Sequence, residues 1–294
     1  MIKRSVGEVI FDVINVIILC LIGLVTLYPF WYVLVASLSE AQAVVQGVWW
    51  TYLWPVNWEF SAYERVLAQQ NIWTSYGNTL YIAFAGTAAN LVFTILGAYP
   101  LSKSRLKGRK FFTMIMLITM WFSAGMMPTY LNLRDLNLLN HRTTLIIGWV
   151  VSAFYVVLLR TYFESGISES LEESAKMDGA NDWMVLLRIY LPLAVPSLMT
   201  IGLYYFVEKW NAFFWSMIIL KEESKVPLQV VLRKLVVQMQ AMSSMDAGTV
   251  DTSVMNDTTV IYSTIMVATI PMLILYPFVQ RFFVKGVMIG AVKG

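Results

Sequence analysis

The sequence has 294 residues, of which 58% are hydrophobic and 13% are charged, with a mean hydropathy of +0.65. Because about a quarter of the residues in a typical soluble domain are charged, this composition indicates a chain whose solvent is a lipid bilayer. The formal net charge of +3 is too small to indicate nucleic-acid binding, and a lone cysteine, Cys20, excludes an intrachain disulfide and a cysteine-based metal site. The lone histidine, His141, lies in a short polar stretch and is expected at the surface.

Six apolar segments follow one another along the chain and predict an all-α integral membrane protein with six transmembrane helices. Their approximate bounds are 9–36, 78–101, 111–127, 144–159, 195–220 and 260–279. The first segment is longer than the apolar part of a cleaved signal peptide, which has roughly 7–15 residues, so we expect an uncleaved membrane helix. We expect the six spans to form a single domain over residues 1–294.

Basic residues in the short connections predict the orientation of the chain. The turn after the second span carries five of them: Lys103, Arg105, Lys107, Arg109 and Lys110. Because Lys and Arg are enriched in cytoplasmic loops, we expect this turn, both termini and the 160–195 loop in the cytoplasm. The tryptophan-rich connection at 37–75 and a long polar loop at 221–258 are then expected outside.

The most polar stretch between spans covers residues 169–192. Glu169, Glu172 and Glu173 favour a helix N-terminus, and Gly179 supplies a helix stop, so a short helix is predicted. The second half of the stretch is apolar again, and two prolines that bend or restart the chain follow: Pro192 and Pro196.

The carboxylates of this stretch do not indicate catalysis. Glu172, Glu173 and Asp178 are expected on a solvated helix, where ordinary pKa values are the default. The sequence contains no G-x-x-x-x-G-K-[ST] phosphate loop. We therefore expect no catalytic residues, no metal site and no bound ATP in this chain.

The spacing within residues 169–192 resembles the EAA loop of the membrane subunits of bacterial ABC importers. The matching positions are Glu173, Ser174, Ala175, Gly179, Ile189, Leu191 and Pro192, with serine at one of them where the family usually has alanine. The resemblance implies a cytoplasmic coupling helix that rests on an ATPase subunit and transmits its movement. The residues that it places at this contact are Glu172, Glu173, Ser174, Ala175, Asp178, Gly179 and Ala180.

Short strings elsewhere resemble the sugar-importer permeases related to the second membrane subunit of the maltose transporter. They lie at residues 28–30, 78–79, 98–102, 160–163 and 285–294. The string at 122–131 resembles the branch that serves oligosaccharides of plant or algal polysaccharides. The resemblance implies a type I ABC importer permease fold and an oligosaccharide permease of the bacterial cytoplasmic membrane. One departure is Ser168, which stands where the family usually has a proline before the coupling helix.

The same resemblance implies a set of partners. They are a second, homologous permease in a heterodimer, two ATPase subunits that hold ATP and magnesium, and an extracellular or periplasmic solute-binding protein. The 221–258 connection would enter the sugar cleft of the binding protein. The tail residues Gly290, Ala291, Val292, Lys293 and Gly294 would reach into the ATPase dimer interface.

A sugar path is predicted on the fifth span. Thr200, Tyr204, Glu208, Asn211 and Trp215 recur at helical spacing, which places hydroxyls, a carboxylate, an amide and aromatic rings on one face. Such groups suit a sugar, and a charge in mid-span faces a cavity, a partner or the helix end. The alternative is that this face packs against the partner permease, with Glu208 and Lys209 neutralising each other.

Three other functions remain open at this point. An importer of the same architecture for a peptide or polyamine fits the same pattern. A stand-alone secondary transporter would need internal repeats and coupling charges inside several helices, and the sequence shows few such charges. A membrane scaffold would leave the EAA-like spacing unexplained.

Overall fold

The computed structural model describes residues 6–245, 258–274 and 276–277 of the chain. These residues form helices and connections without a β-strand, so the predicted all-α class is confirmed. The first helices are α1 (Val6–Ser37), α2 (Ala41–Val45), α3 (Ser61–Ala68), α4 (Gln70–Ser102), α5 (Arg109–Trp121), α6 (Met126–Asp135), α7 (Arg142–Ile147) and α8 (Ala153–Gly166). They are followed by α9 (Glu169–Met177), α10 (Asp182–Val185), a π-helical turn (Leu186–Tyr190), α11 (Leu191–Leu193), α12 (Val195–Trp210), α13 (Phe214–Ile219), α14 (Leu228–Met245) and α15 (Thr258–Ile274).

Two helices, α1 and α4, are long and apolar enough to cross a bilayer. The pairs α5–α6 and α10–α12 add two candidates if each bent pair is one span, and α15 is apolar but shorter. The most apolar stretch of α1 has no residue buried inside the chain, so its side chains need lipid or a partner to leave water. The described residues thus hold two to four candidate spans, and the number six stays a prediction.

The predicted third span, 111–127, is wrong as one straight helix. α5 and α6 meet at an angle of 112°. Phe122 is extended, and Gly125 has φ +85, a backbone conformation that glycine adopts without a Cβ clash. Apolar composition predicted a membrane segment here, but it does not reveal a reversal of the backbone.

The predicted fourth span, 144–159, is also interrupted. α7 ends at Ile147 and α8 begins at Ala153, so residues 148–152 leave the helical hydrogen-bond pattern. Backbone carbonyls freed in an apolar environment need partners. Asn90 of α4, which is buried, supplies one by donating from Nδ2 to the Trp149 carbonyl at 3.4 Å.

The predicted fifth span, 195–220, consists of two helices instead of one. α12 ends at Trp210, Asn211 donates from Nδ2 to the Val207 carbonyl at 2.9 Å, and α13 starts at Phe214. Before α12 the chain bends by 80°, as the prolines around this point predicted. The predicted sixth span, 260–279, corresponds to α15, which covers residues 258–274. Of its predicted end, residues 275 and 278–279 lie outside the described part of the chain.

The 221–258 connection was expected to be a polar loop, and this is wrong for its described part. It holds a 3₁₀ turn at Glu223–Lys225 and the 18-residue helix α14. Three apolar side chains at its beginning are buried: Val226, Leu228 and Val230. Because they pack inside the protein, this segment is an ordered element instead of a solvated loop.

The contacts of the chain group into two compact units, and the single permease domain stays a prediction. The described residues of one unit are 6–70, 232–245 and 258–270. In this unit the Ser37 hydroxyl lies 2.7 Å from the Tyr63 hydroxyl, and Tyr32 packs edge-on against Tyr262. Four of its tryptophans are exposed, as expected for an interfacial stretch: Trp49, Trp50, Trp54 and Trp58.

The described residues of the other unit are 71–231, 271–274 and 276–277. Its largest apolar cluster joins the end of α4 to α8, the 182–193 segment and α12. Its buried members include Tyr99, Leu159, Phe163, Tyr190, Ile201 and Tyr205. α9 and the basic turn after α4 pack against this cluster.

Candidate functional site

α9 is the predicted short helix, and its end is closed as predicted. Gly179 has φ +83, and its amide donates to the Lys176 carbonyl at 3.0 Å. The amide of Ala180 donates to the Ala175 carbonyl at 2.9 Å. These bonds form a Schellman motif, in which a left-handed glycine satisfies the last carbonyls of a helix. The helix begins after Ser168, whose backbone is extended.

The two faces of α9 differ in what they contact. Ala175 and Ala180 pack against the apolar cluster beneath the helix, and the Glu172 side chain is buried. The residues on the opposite side are exposed: Leu171, Glu173, Ser174, Met177, Asp178 and Gly179. Met177, at 89%, is one of the most exposed apolar side chains of the described chain. Sequence reasoning did not include Leu171 or Met177, although an apolar residue on a polar helix is a signal for a contact surface.

Glu172 accepts hydrogen bonds from three side chains: the Lys103 and Lys176 ammonium groups and the Tyr190 hydroxyl, the last at 3.0 Å. Burial alone would raise the pKa of this carboxyl, but the two lysine hydrogen bonds outweigh it and lower the pKa to about 2. The expectation of a solvated Glu172 with an ordinary pKa is therefore wrong. Its spacing gave no sign of this, because Lys103 lies 69 residues away in sequence.

The Lys103 ammonium lies between two aromatic rings. Its Nζ is 3.6 Å from the centroid of the Tyr190 ring and 4.3 Å from that of Tyr99. Burial lowers the pKa of Lys103, while the hydrogen bond and the charge of Glu172 oppose this shift. Cation–π contacts and the ion pair together favour a charged lysine at this position.

Other residues of the basic turn also pair with carboxylates. Arg105 bonds Asp182, and this hydrogen bond lowers the pKa of the Asp182 carboxyl. Arg109 bonds Glu164 of α8, which also accepts from Arg160 Nε at 2.7 Å. A cavity of about 410 Å³ lies between the basic turn and α9. Among the described residues, no group of three or more His, Cys, Asp or Glu side chains is arranged to hold a metal ion.

The predicted sugar-path residues lie on two helices instead of one face. Tyr204, 39% exposed, stacks on Tyr155 with ring centroids 5.9 Å apart, and Glu208 is exposed on the same helix, α12. Asn211, also exposed, caps α12. Trp215 belongs to α13 and packs against Trp149 at 5.0 Å, so its placement with the others on one helical face is wrong.

Lys209 does not pair with Glu208 as the alternative proposed. Its side chain is buried, and its Nζ donates to the Leu145 carbonyl at 2.7 Å, whereas Glu208 is exposed. A Cβ atom added at Gly86 would lie 3.2 Å from the Lys209 side chain, so this glycine makes room for the lysine. Lys209 therefore ties α12 to the last turn of α7.

Comparison with known proteins decides the family. Residues 110–289 match the family described as "Binding-protein-dependent transport system inner membrane component". The chain belongs to this family. The predicted resemblance to the membrane subunits of ABC importers is thereby confirmed, and the stand-alone secondary transporter is removed as an alternative.

Curated relatives match this permease over nearly its whole length. The polygalacturonan/rhamnogalacturonan transport system permease protein YtcP of Bacillus subtilis (strain 168) is 35% identical over 289 residues, which are 97% of this chain and 99% of that protein. Protein LplC of the same organism is 34% identical over 285 residues, which are 97% of this chain and 95% of that protein.

A solved structure matches the permease in fold as well. A chain in the crystal structure of a bacterial ABC transporter involved in the import of the acidic polysaccharide alginate is 42% identical, with a TM-score of 0.85. The match covers 96% of this chain and 100% of that chain. The chain is therefore a permease subunit of an ABC importer.

Proposed function

We propose that this permease imports oligosaccharides derived from acidic plant or algal polysaccharides. The observation that carries the proposal is its end-to-end similarity to permeases of carbohydrate importers, two of which name a polyuronate in their description. The predicted oligosaccharide branch, which was based on residues 122–131, agrees with this substrate class.

The permease would work as one half of a translocation path. Its assembly would contain a second, homologous permease, two ATPase subunits and an external solute-binding protein. We infer six spans with both termini in the cytoplasm, because the basic turn at 103–110 and the 160–195 loop then lie on the same, cytoplasmic side. ATP and magnesium would be held by the ATPase subunits, and this chain would supply no catalytic residue and no cofactor.

Coupling to the ATPase would occur through the exposed face of α9. The helix presents apolar Leu171 and Met177 beside the carboxylates of Glu173 and Asp178, which is a mixed surface suited to a protein groove. Its opposite face is packed against the protein, so the helix can move only with the elements beneath it. A short rigid helix held in this way transmits a displacement instead of absorbing it.

The proposed function is tested by uptake into proteoliposomes that contain the complete transporter. We expect uptake to require ATP and the binding protein, and to favour oligogalacturonate or oligoalginate over a neutral oligosaccharide of the same length. Uptake without ATP would contradict the importer assignment. Equal uptake of the neutral sugar would contradict the substrate class and leave the importer assignment standing.

The sugar path along α12 gives a first prediction. Replacing Tyr204, Glu208 or Asn211 singly by alanine should lower uptake by roughly two- to tenfold, the usual effect of losing one hydrogen bond. Basal ATPase activity should stay normal. Met199→Ala, on the same helix and also exposed, is the matched control. Unchanged uptake in all three variants would show that the path does not use this face, and loss of the partner permease on purification would show that the face packs against it.

The tail gives a second prediction, which concerns residues outside the described part of the chain. Deleting Gly290, Ala291, Val292, Lys293 and Gly294 should lower transport-coupled ATPase activity, because the resemblance places them in the ATPase dimer interface. Replacing the same five residues by a glycine–serine segment of equal length controls for chain length. ATPase activity and uptake equal to those of the full-length permease would argue against this role.

A further inference from the structure

The Glu172 cluster connects α9 to a part of the chain that is remote in sequence. Along the backbone, α9 is attached only to α8 before it and to α10 after it. The bond from Lys103 adds a third attachment, to the end of α4, across 69 residues. α4 is one of the two helices long enough to span a bilayer alone, so the attachment reaches a membrane element directly.

The attachment is buried, which distinguishes it from other ion pairs nearby. The side chains of Lys103 and Glu172 are 10% and 8% exposed. The Arg105–Asp182 pair also bridges the two loops, but its side chains are 53% and 54% exposed. An exposed ion pair contributes little to stability, because solvent and side-chain entropy weaken it. Removing one partner of a buried pair is more destabilising, because it leaves an uncompensated buried charge.

Aromatic packing makes the same place rigid. The rings of Tyr99 and Tyr190, which contact the Lys103 ammonium, lie 5.2 Å apart and edge-on. Phe163 of α8 packs edge-on against Tyr190, with ring centroids 5.3 Å apart. Packed aromatic side chains from α4, α8 and the π-helical turn thus flank the ion pair, and we expect them to move together.

We propose that Glu172 is a positioning residue for coupling: through Lys103 it fixes the inner face of α9 to the end of α4, so that a displacement of α9 moves this membrane helix. The inference rests on the proposed function of α9. This role of Glu172 differs from docking on the ATPase. Glu172 faces the interior of the permease, whereas the exposed face of α9 would contact the ATPase subunit. Motion of α9 then reaches the membrane through α4 as well as along the chain into α8 and α12.

The test uses Glu172→Gln and Lys103→Met in the complete transporter, with Glu169→Gln, an exposed glutamate of the same helix, as the matched control. We expect the ATPase subunits to remain bound and to hydrolyse ATP, while the ATP used per imported sugar rises about tenfold, within the usual range of coupling between sites. Lys103→Arg and the charge exchange Lys103→Glu with Glu172→Lys should restore coupling in part. An unchanged ratio in Glu172→Gln would overturn the proposal, and so would loss of the ATPase subunits, because Glu172 would then act in docking.

A distance measurement keeps the proposal testable if uptake is lost for other reasons. Spin labels at Ser104 and Ser170, both exposed, report the position of α9 relative to the turn after α4. We expect one narrow distance distribution in the parent and a broader one in Tyr190→Phe, which loses only the 3.0 Å hydrogen bond to Glu172, and in Glu172→Gln. Identical distributions in all three proteins would overturn the proposal. Absence of ATP-driven uptake in the parent transporter would instead count against the proposed function.

Discussion

Replacing Gly179 by tryptophan should abolish ATP-driven uptake while the membrane part of the permease stays folded. Gly179 has φ +83 and closes α9. A residue with a bulky side chain adopts this conformation at a cost of about 1–2 kcal/mol, which lowers the population of the closed helix end roughly tenfold. A Cβ at this position would meet no atom of the chain within 4 Å, so the indole would project from the exposed face. It would therefore obstruct a docking partner as well as strain the helix end.

Two milder substitutions separate the strain from the obstruction. Gly179→Asn keeps most of the helix end, because asparagine tolerates the left-handed conformation, and Gly179→Ala adds strain with little bulk. We expect uptake to decrease in the order Gly, Asn, Ala, Trp, with ATPase subunits co-purifying least with the tryptophan variant. Full uptake and normal assembly in Gly179→Trp would show that this end of α9 does not face the ATPase.

Replacing Lys209 by glutamate should reduce the yield of folded permease more than any substitution discussed above. The variant would place a carboxylate opposite the Leu145 carbonyl, with which Lys209 now makes a 2.7 Å hydrogen bond. An uncompensated buried charge costs about 3–5 kcal/mol, against a total stability of roughly 5–15 kcal/mol for a typical protein. The measurements are the monodisperse fraction after detergent extraction and the temperature of thermal unfolding.

The neighbouring residue provides the control for this prediction. Glu208→Lys also reverses a charge, but Glu208 is exposed, so the fold should survive. Lys209→Met leaves the Leu145 carbonyl without this donor but keeps a side chain of similar length. We expect this variant to lower the free energy of unfolding by about 1–3 kcal/mol. Equal unfolding temperatures for Lys209→Glu and Glu208→Lys would contradict the assigned role of the buried ammonium.

The sequence predicted the elements whose signals are local. Acidic residues at the start of α9 and glycine at its end are signals within one or two turns, and α9 with its left-handed Gly179 follows them. The prolines around Ala194 likewise predicted the bend before α12. Family membership was also predictable, because the EAA-like spacing lies within some twenty consecutive residues.

Features that depend on distant contacts were not predictable. Nothing in the spacing of Glu172 distinguishes it from Glu173, yet one is buried against Lys103 and the other is exposed. The breaks within the predicted spans were missed for a related reason. Residues 148–152 and 211–213 contain no proline that would mark a break, and partners elsewhere, such as Asn90 for the Trp149 carbonyl, allow them to leave the helix.

The pairing of the basic turn has a consequence for the order of events during synthesis. Arg109, Lys103 and Arg105 pair with carboxylates that lie 55, 69 and 77 residues further along the chain. These carboxylates have not yet been made when the second proposed span enters the membrane, so the turn then carries its full positive charge, which would retain the nascent segment on the proposed cytoplasmic side. The charges of these three residues are neutralised only when the later loop folds onto them. The turn that would direct insertion thereby becomes the surface against which α9 packs.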